Sequence, residues 1–144
     1  AALAAAAGTR GQDAADRAAR VHFWGQRVFD IPVDVALVQK GPNVPGHLQL
    51  YTSFARGPWQ PGPKKALADL DRLDDGKRGF RYTADRDGEY EFSVQYHYAD
   101  GSTSPRTATD LAAMLRITID TTLPTVRIAA TGNGVEWAAA DDNL

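Results

Sequence analysis

Between residues 28 and 37 the odd positions are Phe29, Ile31, Val33, Val35 and Leu37, while the even ones include Asp30, Pro32 and Asp34. Period-two alternation puts each set on its own face, so this stretch predicts a half-buried strand. Pro32 has no N–H to give to a ladder, which places it at a sheet edge or a bulge. The same alternation recurs over 47–54 through Leu48, Leu50, Thr52 and Phe54, over 79–83 through Phe80 and Tyr82, and over 115–119 through Leu115, Ile117 and Ile119. It is strongest over 89–98. There Tyr90, Phe92, Val94, Tyr96 and Tyr98 share one face, and Glu89, Glu91, Ser93, Gln95 and His97 the other. At ~25 cal/mol per Å² of apolar surface, five large side chains on one face require cover.

Turn signals separate these runs: Gly41-Pro42-Asn43, Pro45-Gly46, Asp87-Gly88 and Asp100-Gly101. Pro58, Pro61 and Pro63 predict a loop over 57–63. Leu67, Leu70 and Leu73 stand three apart and predict a short helix within 64–73, and Thr109-Asp110 is expected to cap another turn containing Leu111 and Met114. Several short strands with regular punctuation favour an antiparallel sandwich with short helical insertions.

Residues 124–130 and 134–139 alternate as well, with Thr131-Gly132-Asn133-Gly134 between them. They predict a β-hairpin whose apolar face carries Val126, Ile128, Val135 and Trp137. A lone two-stranded hairpin is marginally stable in water. This one is therefore expected to belong to a second domain, to a neighbouring chain, or to the main domain's sheet.

Composition narrows the classes. The 144 residues are 43% hydrophobic and 24% charged, enough for a real core. Sixteen basic against eighteen acidic residues give a net charge of −2, which argues against a nucleic-acid module. No apolar run reaches membrane-spanning length. The absence of cysteine excludes a disulfide framework, a thiolate zinc site and a cysteine nucleophile. Half of residues 1–20 are alanine, and the chain starts at Ala1. That start is similar to the small-residue end of a secretory signal and predicts an exported protein, or else a flexible arm with a short helix over 13–20.

Four segments carry a resemblance: Phe29-Asp30-Ile31-Pro32-Val33; Leu50-Tyr51-Thr52-Ser53 followed by Gly57-Pro58-Trp59-Gln60; Asp87-Gly88-Glu89-Tyr90-Glu91-Phe92-Ser93-Val94 with Asp100-Gly101 and Ser104-Pro105; and Asp120-Thr121-Thr122-Leu123-Pro124-Thr125-Val126. In this order, over 26–128, they resemble an immunoglobulin-like or fibronectin-type-III-like module of large secreted or surface bacterial proteins. The second segment is similar to the Y-x-S-x-D-G-G-x-T-W strand and turn of such modules, with a shortened, proline-bearing turn. The connection over 55–79 is longer than their usual turn. The resemblance implies an all-β sandwich over 21–122, behind an Ala-rich arm over 1–20. Residues 123–144 become a linker and the first strands of an incomplete second module. It also implies that Tyr90, just after Gly88, forms a tyrosine corner, and that Pro124 stiffens the joint between modules.

Other candidates are weaker. Trp59 in its Pro/Gly loop is either a stacking platform for a glycan or packing at the sheet edge. Asp120, with Asp85, Asp87 and Asp100, is a calcium candidate at the joint, although no D-x-D-x-D spacing supports it. Asp69, Asp71, Asp74 and Asp75 lie among Lys64, Lys65, Arg72, Lys77 and Arg78 and read as a salt-bridged exposed face. His22, His47 and His97 are scattered, and Gly41–Gly46 lacks the Lys-Ser/Thr of a phosphate loop. No catalytic residue is assigned. The expected function is a non-catalytic spacer, scaffold or adhesion module outside the cell, without a cofactor unless calcium, and partnered by neighbouring modules or copies of itself. The alternatives are a filament or surface-layer subunit joined by strand addition through the hairpin or the N-terminal arm, and a carbohydrate-binding module using Trp59.

Overall fold

The computed structural model describes residues 21–141. The expectations placed on 1–20, and the end at 142–144, lie outside the described residues. Among the described residues the strands are β1 (Val21–Trp24), β2 (Val28–Val33), β3 (His47–Phe54), β4 (Gln60–Ala66), β5 (Asp71–Arg72), β6 (Arg78–Thr83), β7 (Gly88–His97), β8 (Thr103–Ser104), β9 (Leu115–Ile119), β10 (Thr125–Thr131) and β11 (Gly134–Ala140), with a short α-helix, α1 (Val35–Gln39), and two 3-10 turns. The larger sheet runs β1-β9-β7-β3-β4 with β8 also on β7, the smaller β2-β6-β5, and β10-β11 stand as a separate hairpin. Every pairing is antiparallel except β1 with β9. The chain is all-β.

One core lies between the two sheets. Phe29, Ile31, Val33 and Phe80 from the smaller sheet meet Leu48, Leu50, Phe92, Val94 and Ile117 from the larger. Phe92 joins the layers: its ring lies edge-on to Phe29 at 5.4 Å and to Tyr82 at 4.9 Å, a favourable arrangement for aromatic quadrupoles.

The central strand departs from simple alternation. Glu91, Ser93 and Gln95 are as buried as the apolar face of β7. Glu91 is paired with Arg116 of β9 at 2.7 Å, with 10% and 16% of the two side chains exposed. Gln95 donates to the carbonyl of Pro105 at 2.8 Å and accepts from the Tyr51 hydroxyl at 3.4 Å. These partners let polar side chains stay inside.

Several expectations are corrected. The strand predicted over 28–37 ends at Val33, because the Asp34 carboxylate accepts from the Leu37 N–H at 2.9 Å and caps α1. Val35 and Val38, three apart, then pack on the core as a helix allows. Of the loop predicted over 57–63 only 57–59 stays outside a strand, β4 taking the rest, and the short helix predicted within 64–73 is a single 3-10 turn at Leu67–Asp69 between β4 and β5. Pro61 and Pro63 are tolerated because they are two apart, so their missing donors lie on one side of a strand at the sheet's edge. The turn expected to start at Thr109-Asp110 lies at Ala108–Asp110, behind Thr107. Pro32 stands on an edge strand, as its chemistry requires.

Candidate functional site

The joint after β9 is fastened from both sides. The Asp120 N–H donates to the Trp24 carbonyl at 3.1 Å. The Asp87 carboxylate, in the turn before β7, accepts from the Thr121 N–H at 2.9 Å and from its hydroxyl at 2.8 Å, and meets Arg27 at 3.3 Å. The Thr121 amide, then its hydroxyl, hold Asp87 below the ordinary carboxylate range. Asp120 itself accepts from the Thr122 N–H at 2.8 Å, a local turn that sets the chain's direction ahead of Pro124.

Beyond this joint the hairpin pairs along its full length. Ile128 lies opposite Trp137, Val126 opposite Ala139, and Ala130 opposite Val135. All six belong to one face, which is bare: Ile128 is 72% and Trp137 73% exposed. The hairpin residues singled out from the sequence are thus brought together on one face, with nothing over them among the described residues.

Tyr90 and Gly88 lie at the other side of the same joint. The Tyr90 hydroxyl donates to the Arg86 carbonyl at 2.9 Å and accepts from the Arg86 N–H at 3.3 Å, pinning the turn before β7. Gly88 has φ +136°, and a Cβ there would stand 2.7 Å from the Phe54 ring. Only glycine fits that position.

A second feature was not anticipated. A groove of about 780 Å³ opens between β1 and β2, the free edges of the two sheets on the same side of the core. Phe29, Ile31 and Ile117 form its floor; Phe23 and Trp24 form one wall. The Trp24 indole N–H donates to the Val28 carbonyl at 3.1 Å and so closes the turn between these edges. The opposite wall is charged. Arg81 grips Asp30 at 2.8 Å and Asp74 at 2.8 Å, which raises the guanidinium pKa and lowers that of Asp30. The run Val21-His22-Phe23-Trp24, three large apolar side chains in four residues, was the available signal for β1.

The remaining candidates are dispersed. Trp59 is half-buried at the bend between β3 and β4. Asp100 is tied to Ser102 beyond the far end of β7 from Asp87 and Asp120. Among the described residues no group of three or more His, Cys, Asp or Glu side chains converges to hold a metal. Of the acidic cluster, Asp71 pairs with Lys65, Asp75 with Lys77 and Asp74 with Arg81, the last a partner the sequence pattern did not indicate. His47 and His97 face each other across β3 and β7. Among the described residues no helix is long and apolar enough to cross a membrane. Comparison with protein-family models, curated proteins and solved structures gives no match.

Proposed function

We propose that this chain is a non-catalytic, immunoglobulin-like or fibronectin-type-III-like module of an exported or surface protein. It acts as a spacer, scaffold or adhesion segment and couples to a further β unit through its C-terminal hairpin. The observation that carries the reading is the hairpin: a fully registered pair of strands with a bare apolar face, presented on a fastened joint. The strand order supports the immunoglobulin-like part. The orders β2-β6-β5 and β9-β7-β3-β4 correspond to the B-E-D sheet and the extended G-F-C-C′ sheet of such sandwiches. The Tyr90–Arg86 bond supports it too, lying at the start of the strand that corresponds to F.

The exposed hairpin face favours a second reading, in which the β unit it meets is another copy of the chain. Hydrogen exchange on the whole chain tests the coupling role. In dilute samples the amides of 125–140 should exchange far faster than those of β7, since no core covers them. Equal protection of β7 and the hairpin in a monomer would show that the hairpin already belongs to the folded domain, and the coupling role would fall.

A further inference from the structure

Seven of the ten exposed large apolar side chains among the described residues lie on two surfaces. Phe23, Trp24 and Val28 rim the groove; Val126, Ile128, Val135 and Trp137 form the hairpin face. One surface is concave and lies between two strand edges that lack a neighbour. The other is a ribbon that lacks a core. We propose that the hairpin of one copy seats in the groove of a second copy, with one of its strands running along the free edge of β2. The inference rests on the coupling role proposed above and supplies the receiving surface.

The alternation of the two strands agrees on both faces. In β2, Phe29, Ile31 and Val33 turn to the core, while Val28, Asp30 and Pro32 turn outward. A strand laid beside it in the same sheet points Val126 and Ile128 at the groove floor and Arg127 outward, beside Asp30. Charge enters locally. That wall holds Asp30, Asp74 and Asp75 with Arg81, Asp75 being paired to Lys77 outside the lining, and the Asp74 side chain is 90% exposed. Arg127 shares the hairpin's polar face with Glu136, so the hairpin is neutral as a whole and charge acts only locally, placing Arg127 against the acidic wall and Glu136 away from it. Pro32 gives no N–H, so the added ladder is short. Four hairpin and three rim side chains fall short of the roughly 800 Å² per partner of a standard stable interface, so the association belongs to the weak, transient class. Because donor and acceptor are different surfaces, the contact is heterologous and repeats from copy to copy, into a ring where the rotation closes and an open string where it does not.

The test uses two variants of the whole chain, each disabling one surface. Phe23→Asp with Val28→Asp spoils the groove; Ile128→Asp with Trp137→Ala spoils the hairpin. All four positions are exposed, and circular dichroism with thermal melting checks that both variants fold. Phe23→Ala and Trp137→Ala provide milder replacements. Mass is measured by light scattering over a hundredfold concentration range. The wild-type mass should climb, and Trp137→Ala alone should weaken association about thirtyfold or more. Each double variant should stay at the mass of one chain, and their equimolar mixture should reach two chains and stop, because only one good junction is then available. A mixture that stays at one chain while wild type assembles would overturn the groove as receptor but leave the coupling role standing. A wild-type mass that stays at 15.6 kDa throughout overturns self-seating altogether. The coupling role is then judged separately, by the hydrogen-exchange contrast between β7 and the hairpin.

Discussion

Replacing Tyr90 by phenylalanine isolates one hydroxyl. The ring is 4% exposed and stays in place among Phe54 at 5.0 Å, Tyr82 at 6.1 Å and Phe92 at 6.2 Å. What is lost is the bond donated to the Arg86 carbonyl at 2.9 Å and the longer one accepted from its N–H at 3.3 Å. A net hydrogen bond contributes about 1 kcal/mol, the long one less, and the two Arg86 groups are left in a partly buried turn. The expected loss is about 1.5 kcal/mol, or about 5 °C in melting temperature for a domain of this size. Urea unfolding followed by tryptophan fluorescence measures it. The midpoint should fall and the m-value should not change, because no burial is altered. Tyr51→Phe serves as the comparison: its hydroxyl reaches Gln95 only at 3.4 Å, and its loss should cost less. A Tyr90→Phe loss below about 0.5 kcal/mol would refute the argument that this hydroxyl holds the turn.

Gly79→Ala should be among the most damaging single-methyl additions. Its Cβ would stand 2.1 Å from the Ile31 carbonyl oxygen and 3.0 Å from Leu73, so strands β2 and β6 must separate, at about 3 kcal/mol; a melting temperature within 2 °C or so of wild type would contradict the packing. His97 carries a pKa lowered by burial, then by Lys64 and His47. The native state therefore binds this proton less readily than the unfolded chain. The contribution is intact above about pH 6.5 and lost as pH falls below it. Urea midpoints at neutral and mildly acidic pH should show a drop that His97→Gln flattens, and an unchanged slope in that variant would reject the assignment. Asp30 and Asp71 are lowered by Arg81 and Lys65 respectively. Their contribution is present above about pH 3.9 and lost in stronger acid, so Asp30→Asn should reduce the acid sensitivity of unfolding below that pH. Asp87→Ala should leave the melting of the sheets nearly unchanged but free the joint. Backbone relaxation at Thr121 and Thr122 should then report faster motion, and rigid values there would show that Asp87 does not fasten it.

Strand identity was legible wherever alternation was strong. Leu48 and Leu50, Phe80 and Tyr82, Ile117 and Ile119, and the Val126/Ile128 and Val135/Trp137 faces all stand in strands as read. Local chemistry settled these, because period-two patterning and two-residue turns act between near neighbours. It failed where a distant partner decides. At Val33-Asp34-Val35 the local Asp34 cap competes with an equally local strand pattern, and the core contacts of Val35 and Val38 decide for the helix. Nor does Gln60-Pro61-Gly62-Pro63 look like a strand until β3 offers an edge on which the missing donors face away. The polar face of β7 is buried because Arg116 and Pro105 arrive from elsewhere to satisfy it. The groove between β1 and β2 could not be read at all, since it exists only where the free edges of two sheets meet over one core. Which segments alternate, where the chain turns and which face of the hairpin is apolar follow from residues within a few positions of one another. Which of those faces found cover and which stayed bare was settled by the packing of the sheets, because burial depends on partners far along the chain and not on the pattern of any one segment.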